Sequence, residues 1–138
     1  MDFTGKRNQQ KKISASGIKA EKIAYDYLLL KGLTSVERNF STRRGEIDII
    51  MRDGKQLVFV EVRFRQSTLF GGAEASITAT KCQKLKAAAA AYMQTHRLTN
   101  NTAARFDVVA LSGDLSRREL YSVNSVSYTH LRAHETRH

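Results

Sequence analysis

A chain of 138 residues has room for one domain with one hydrophobic core. Hydrophobic residues make up 41% of it, which argues against wholesale disorder, and its formal net charge of +10 predicts a polyanionic partner, most commonly nucleic acid. The sequence contains no secretory signal, no apolar run long enough to span a bilayer, and only one cysteine, Cys82, which excludes an internal disulfide. These features predict a cytoplasmic protein without a membrane partner.

Hydrophobic periodicity divides the chain into two helices and five strands. Apolar residues at helical spacing predict the helices, Gly32 ends the first of them, and alternating β-branched residues predict strands. In chain order, the predicted elements are a helix at 17–31, strands at 36–40, 46–52 and 57–65, a helix at 78–96, a strand at 105–111 and a weaker strand at 119–123. Residues 66–76, which contain Gly71-Gly72, are predicted to be a loop. The order αβββαβ, with one further strand, favours a single α/β domain.

The two ends of the chain are predicted to lie outside this domain. Residues 1–16 are polar, basic and without periodicity, and we interpret them as a flexible basic arm. Residues 126–138, which begin VSYTHLRAHET, resemble the translation of a sequencing adapter and are predicted to be an artefactual tail that packs against nothing. The alternative is a metal-binding tail, because His130 and His134 have i, i+4 spacing.

A hairpin between the second and third strands would bring two acids together. A two-residue turn at Asp53-Gly54 makes Asp48 and Glu61 diagonal neighbours on one face, with Cα atoms roughly 7–8 Å apart. Arg63 shares that face, since side chains alternate along a strand. Glu61 lies in an apolar strand, where a carboxylate is costly unless something compensates it. Two such acids are suitable ligands for Mg²⁺ or Mn²⁺, which could activate water at a phosphate.

The two predicted helices add two further candidates. Glu21 borders the apolar stripe of the first helix and is the possible third acid. Lys81 precedes the apolar stripe of the second helix and could orient water or hold a phosphate. Both side chains could instead be solvated, and Asp48 and Glu61 could instead form a surface ionic network with neighbouring arginines.

Several segments, taken in order, carry a family resemblance. They are Gly17-x-x-Ala20-Glu21, Arg38-Asn39-Phe40, the run GEIDII from Gly45, the run VFVEVR from Val58, Lys81-x-x-Lys84-Leu85 and the run RFDVV from Arg105. This set resembles the YraN-like uncharacterised protein family, which is similar in pattern to archaeal Holliday-junction resolvases and the restriction-endonuclease-like superfamily. The resemblance implies a single α/β domain of the restriction-endonuclease-like class over residues 17–125, with an αβββαβ core and a central mixed sheet flanked by helices.

The resemblance also implies an active site of the D…ExK type. It assigns the aspartate to Asp48, the glutamate to Glu61 and the acid of the first helix to Glu21, as ligands of Mg²⁺ or Mn²⁺. The lysine position holds Arg63, which stays charged and cannot act as a base. Either Lys81 takes over the lysine's role, or the site binds nucleic acid without cutting it.

Three functions are compatible with these patterns. The first is a Mg²⁺-dependent endonuclease acting on DNA rather than RNA, including branched DNA. The second is a nucleic-acid-binding module of the same fold with little or no activity, and the third is a structural adaptor for a protein partner. For nucleic-acid binding the candidate residues are Arg43, Arg44, Arg63 and Arg65. The sequence leaves homodimer formation open.

Overall fold

The predicted helices and strands follow one another in the expected order in the computed structural model, which describes residues 14–66, 78–98 and 101–128. The elements are helix α1 (Ala15–Leu30), strands β1 (Thr34–Ser41), β2 (Glu46–Asp53) and β3 (Gln56–Arg65), helix α2 (Ala79–Thr95), strand β4 (Ala104–Gly113), a 3-10 turn (Arg118–Leu120) and strand β5 (Tyr121–Tyr128). Within the described residues, neither helix is long and apolar enough to cross a membrane.

Helix α1 begins earlier than the sequence predicted. Ser14 is its N-cap, and the Ser14 hydroxyl accepts a hydrogen bond from the Gly17 amide at 3.0 Å. The helix is followed by Gly32, whose positive φ of 96° is a conformation that glycine adopts without strain. The predicted boundary of the basic arm at residue 16 is therefore wrong by at least two residues, because a serine cap can start the helix before its apolar stripe begins. The rest of the predicted arm, residues 1–13, lies outside the described residues.

The five strands form one mixed sheet in the order β1-β2-β3-β4-β5. Strands β3 and β4 are parallel and are connected through α2, whereas the other neighbouring pairs are antiparallel. The predicted α/β class and central mixed sheet are confirmed, and the arrangement is consistent with one small nuclease-like domain.

Each helix covers one face of the sheet. Side chains of α2 pack with alternate residues of β3 and β4, in a cluster that includes Leu85, Ala88, Tyr92, Phe59 and Phe106. Side chains of α1 pack on the other face, in a cluster that includes Ala20, Ala24, Leu28, Val58 and Val60. Because β3 alternates between these clusters, the residues two and four positions after Phe59 lie on the α2 face.

The hairpin between β2 and β3 turns one residue later than predicted. Asp53 pairs with Gln56, so the loop is Gly54-Lys55 rather than Asp53-Gly54. Gly54 has a φ of 62°, which is the positive value that the first central position of a type II′ turn requires. Gly54 is therefore the first of the two loop residues, and Asp53 is the last residue of β2.

The later turn changes the pairing of the two acids but not the face they occupy. The predicted turn would pair Arg52 with Lys55, whereas Arg52 pairs with Leu57. This is a shift of two residues, and a shift of two preserves the face of every side chain. Ile49 pairs with Val60, so the same register continued by one residue places Asp48 directly opposite Glu61 rather than diagonal to it.

A charged network fastens the hairpin to β4. The Arg105 guanidinium donates hydrogen bonds to Asp107, to Asp53 at 3.0 Å and to Gln56 at 2.9 Å. Asp107 is buried, so its charge needs this partner. Since Asp53 and Gln56 flank the turn, the network holds β2, β3 and β4 in one register.

Strand β5 differs most from its prediction. Instead of a strand at 119–123, a 3-10 turn leads into a strand that continues to Tyr128. Val126, Ser127 and Tyr128 pair with β4, and Tyr128 packs against the α2 cluster. The prediction that residues 126–138 pack against nothing is therefore wrong for the first three of them, and residues 129–138 lie outside the described part of the chain. The open edge of β4 offers backbone donors and acceptors, which an extended segment can pair with whatever its side chains.

We expect a chain ending after Asn124 to be less stable than one ending after Tyr128. The shorter chain loses the pairing of the last four β5 residues with β4 and uncovers part of the core around Phe106. The expected loss in the free energy of unfolding is on the order of 2–4 kcal/mol. Urea denaturation of the two chains measures it, and equal midpoints would show that the end of β5 contributes nothing to stability.

Candidate active site

Asp48 lies where the ladder between β2 and β3 ends. The last pair of this ladder is Ile49 with Val60. One residue further, the Asp48 Oδ2 atom accepts a hydrogen bond from the backbone N–H of Val62 at 2.8 Å. A side chain thus occupies the place where a ladder hydrogen bond would continue, and it holds the Asp48 carboxylate against β3 beside Glu61.

Glu61 is a buried acid in the most apolar strand of the sheet. The residue is 8% exposed, and the surrounding β3 residues from Leu57 to Val60 are fully or almost fully buried. The pKa of the Glu61 carboxyl is raised from its ordinary value of 4.5 to about 7. Burial is the largest cause, the negative charge of Asp48 is the second, and the positive charges of Lys81 and Arg63 partly oppose both. Two acids that repel each other in a buried place are suited to share a cation.

Lys81 reaches this acid from α2. Its Nζ atom lies 3.4 Å from the Glu61 Oε2 atom, and the lysine side chain is 38% exposed. The Thr78 hydroxyl accepts a hydrogen bond from the Lys81 amide at 3.1 Å and so fixes the first turn of the helix. Leu85, one turn later, is buried in the α2 cluster. The predicted position of Lys81 at the start of the core-facing stripe is confirmed by these contacts.

The four predicted arginines are divided between the site and its surroundings. Arg63 is half-buried on the α2 face, and its charge acts on Glu61. Arg65 is exposed at the end of β3, and Arg43 and Arg44 are exposed in the turn between β1 and β2. Only Arg63 is therefore beside the carboxylate pair.

Glu21 does not complete a set of three acids in this structure. It is half-buried on α1, in the helix layer on the other face of the sheet from Lys81. Among residues 14–66, 78–98 and 101–128, no three Asp, Glu, His or Cys side chains lie close enough together to hold a metal ion. The expected convergence of Glu21 with Asp48 and Glu61 is therefore wrong here, because the helix that carries Glu21 packs on the opposite face. A catalytic role for Glu21 stays a prediction.

The remaining pair still fits a hard divalent cation. Both side chains are carboxylates, whose oxygen atoms Mg²⁺ prefers, and Mg²⁺ often takes only one or two protein carboxylates together with water and substrate phosphate. Asp48 is oriented by a backbone N–H, and an orienting hydrogen bond is typical of a metal-binding carboxylate. The charge of Asp48 disfavours ionisation of Glu61, and a cation between them would remove that penalty.

The turn between β1 and β2 is pressed against α2 beside this site. A Cβ atom on Gly45 would lie 2.6 Å from the Lys84 carbonyl oxygen, so only glycine allows this approach. Thr42 closes the turn, since its hydroxyl accepts hydrogen bonds from the amides of Arg44 and Gly45 at 3.1 Å. The contact places the two exposed arginines of the turn opposite the first turns of α2.

Sequence reasoning missed residues that lie beside the predicted site. A cavity of about 330 Å³ between the β1–β2 turn and α2 is lined by Lys84 as well as Lys81. Lys86 lines a neighbouring cavity of about 610 Å³. The sequence carried a signal in Lys81-x-x-Lys84, because a helix places residues three positions apart on neighbouring parts of its surface. Lys86 lies on another side of the helix and lines only the second cavity, so helical spacing did not indicate it.

Several known proteins with similar sequences carry the same family name. Residues 20–111 match the family described as "Uncharacterised protein family UPF0102". A UPF0102 protein of Alkalilimnicola ehrlichii is 50% identical over 99 residues, which cover 72% of this chain and 79% of the relative. A UPF0102 protein of Colwellia psychrerythraea is 48% identical over 101 residues, covering 72% of this chain and 78% of the relative. The chain therefore belongs to the uncharacterised protein family UPF0102, in agreement with the YraN-like resemblance of its motifs.

Proposed function

We propose that this domain is a metal-dependent endonuclease that acts on DNA. The observation that carries the proposal is the meeting of Asp48, Glu61 and Lys81 where β2 separates from β3. An acid pair with a basic residue at the end of a strand ladder is the arrangement expected of the D…ExK nucleases that the sequence resembles. The chemistry of such sites is hydrolysis of a phosphodiester bond.

Each residue has a distinct part in the proposed reaction. Asp48 and Glu61 would hold Mg²⁺ or Mn²⁺, and the bound ion would lower the pKa of water and stabilise charge on the scissile phosphate. Lys81 is exposed enough to reach substrate and is the candidate for orienting the attacking water. Arg63 is suited to bind a phosphate oxygen with its planar guanidinium.

Glu21 is proposed only as an additional ligand of the metal ion that Asp48 and Glu61 would hold. Lys19, two residues earlier, is within electrostatic reach of Asp114, which follows β4. Because β4 runs parallel to β3, this part of α1 lies toward the C-terminal ends of both strands, whereas Glu61 lies midway along β3 and on the other face. A rearrangement on substrate binding would be needed before Glu21 could bind the same ion.

Nucleic acid is the proposed substrate because of the charge of the chain. The formal net charge is +10, and a positive field attracts a phosphate backbone regardless of its sequence. Branched DNA follows from the resemblance to Holliday-junction resolvases and belongs to the proposal. A cytoplasmic site of action, which the composition of the chain predicted, belongs to it as well. Homodimer formation, which two cuts in one junction would require, also belongs to it.

A nucleic-acid-binding module without cleavage is the second candidate. Arg63 occupies the position of the nuclease lysine, and Lys81 is engaged with Glu61 rather than held apart from it. In this case the two acids would tune binding and perform no chemistry.

Incubation of the chain with labelled four-way junction, linear duplex and single-stranded DNA tests the proposal. We expect cleavage with Mg²⁺, none with excess EDTA, and preference for the junction. Salt-dependent binding without cleavage would support the second candidate. Neither binding nor cleavage of any of the three substrates would overturn both and leave the protein-adaptor function.

A further inference from the structure

A groove continues away from the carboxylate pair along the surface of α2. It consists of the two cavities of about 330 and about 610 Å³, which meet at Thr42, Arg43 and Arg44 of the β1–β2 turn. We call it the basic groove, because five of its lining residues are cationic: Arg43, Arg44, Lys81, Lys84 and Lys86. Glu46 is the one acidic residue among those that line it. The excess of positive charge indicates an anionic ligand.

One end of the basic groove belongs to the candidate active site. Lys81 lines the smaller cavity, and the same Lys81 ammonium lies 3.4 Å from Glu61. A chain of phosphates that places one phosphate at the acid pair would therefore have its neighbours in the groove. An acidic protein segment could also neutralise the lysines, but it has no phosphodiester bond, which is the bond on which the proposed site acts.

The floor of the basic groove allows close approach of a ligand. Ala87, Ala90 and Ala91 line the larger cavity, with Gln83 and Gln94 beside them. Methyl side chains leave the helix surface low, while the arginines of the β1–β2 turn stand on the opposite side. The distance between the two sides is set by the close contact of Gly45 with the Lys84 carbonyl.

The length of the basic groove suits several nucleotides. From Lys81 to Gln94 a helix rises about 20 Å at 1.5 Å per residue. Nucleotides in a strand of duplex DNA rise about 3.4 Å each, so the groove spans roughly six of them.

We propose that the basic groove binds the phosphodiester backbone next to the scissile phosphate, with Lys84 and Lys86 as phosphate ligands. The position of the scissile phosphate at one end of the groove rests on the proposed nuclease function. The binding of the phosphodiester backbone in the groove does not depend on that function. Lys84 and Lys86 are thus assigned to nucleic-acid positioning, and neither touches the carboxylate pair in the described contacts.

Binding measured without metal separates the groove from the chemistry. The double variant Lys84→Ala, Lys86→Ala is compared with the parent chain by fluorescence anisotropy of a short labelled duplex in EDTA, over a series of salt concentrations. If both lysines contact phosphates, the slope of log K against log salt becomes less steep by about 1.8, since each contact contributes about 0.9. The affinity at ~0.1 M salt falls roughly tenfold to a hundredfold on the same basis.

A matched control removes two charges from the other face. Lys22 and Lys31 lie on and just after α1, and both are exposed. The double variant Lys22→Ala, Lys31→Ala has the same net charge as the groove variant, and we expect its slope to stay close to that of the parent. Equal loss of slope in both double variants would show a general charge effect and overturn the proposal.

A second pair of variants tests the floor without removing a lysine. Ala90→Glu places a negative charge in the groove, whereas Ala90→Gln adds nearly the same volume without charge. Both residues are good helix formers, so α2 is expected to persist, as circular dichroism would show. We expect the glutamate to weaken binding more than the glutamine does. Equal binding by the parent, the glutamate variant and the lysine double variant would overturn the groove as a backbone site.

The outcomes also distinguish the groove from the nuclease proposal. Loss of binding in the lysine double variant, in a chain that never cleaves, would support the groove and contradict the nuclease. Mg²⁺-dependent cleavage by the parent, with unchanged binding by the lysine double variant, would do the reverse. Competition by polyglutamate as strong as that by duplex DNA of equal charge would favour an acidic protein ligand and overturn the assignment to nucleic acid.

Discussion

Replacement of Asp48 by asparagine or of Glu61 by glutamine is expected to abolish Mg²⁺-dependent cleavage. Each change removes one negative ligand and keeps the shape of the side chain, so the loss in rate should be roughly a thousandfold or more. In the Asp48→Asn variant the amide oxygen could still accept the Val62 N–H, which preserves the local backbone. Single-turnover cleavage of labelled junction DNA measures the effect, and circular dichroism checks the fold.

Binding and cleavage should respond oppositely to these two substitutions. Since a negative charge near phosphate is removed, DNA affinity in EDTA should be unchanged or higher. A variant that loses binding as well as cleavage has lost more than a metal ligand. Full cleavage by the double variant Asp48→Asn, Glu61→Gln would show that the two carboxylates are not part of the active site.

Two further variants decide whether Lys81 or Arg63 performs the role of the lysine in the D…ExK motif. If Lys81 orients water, Lys81→Ala should abolish cleavage and Arg63→Lys should only weaken it, because lysine cannot form the bidentate contact of arginine. If Arg63 occupies the position of the nuclease lysine, Arg63→Lys should preserve or raise the rate. Lys22→Ala is the control, since Lys22 pairs with Asp26 on the exposed side of α1 and should have no effect.

The metal-free protein should lose stability as the pH rises from about 4.5 to about 7 because of Glu61 alone. The pKa of Glu61 is raised from 4.5 to about 7 in the folded protein, mainly by burial and then by Asp48. Between these values the unfolded chain releases the proton and the folded chain keeps it, so the free energy of unfolding falls with pH. The interval from 4.5 to about 7 corresponds to a loss on the order of 3 kcal/mol above neutral pH.

Comparison with Glu61→Gln isolates this effect from every other titrating group. Glutamine does not ionise, so the variant should overtake the parent as the pH rises, by urea denaturation in EDTA. Addition of Mg²⁺ at pH ~8, above the folded-state pKa, should stabilise the parent and not the variant, since an ion that binds only the folded state raises stability according to its occupancy. Parallel profiles of unfolding free energy against pH for the two chains would show that the pKa of Glu61 is not raised in the folded protein.

Local patterns were sufficient for most of the fold. Ala20, Ala24 and Leu28 recur at helical spacing and become the buried stripe of α1, while Val58 and Val60 alternate with Leu57 and Phe59 and become a strand buried on both faces. These patterns depend on the period of the backbone and on apolar burial, which neighbouring residues along the chain largely determine. Two elements with weaker patterns were placed less well, namely the hairpin turn and β5.

The face shared by Asp48 and Glu61 was also determined by the sequence. Any even shift of the hairpin leaves both acids on the same side, so an error of two residues in register did not matter. With a two-residue turn, a residue of the first strand and a residue of the second lie on the same face when their numbers differ by an odd amount. Asp48 and Glu61 satisfy that condition.

Only the tertiary structure decided what meets these acids. Lys81 reaches Glu61 because the crossover between the parallel strands β3 and β4 places α2 on that face, and Glu21 remains away because α1 packs on the other. Gly45 against Lys84 and Tyr128 against the α2 cluster are likewise contacts between distant segments. Sequence periodicity determines which side of an element is buried, whereas the partner of that side depends on how whole elements pack.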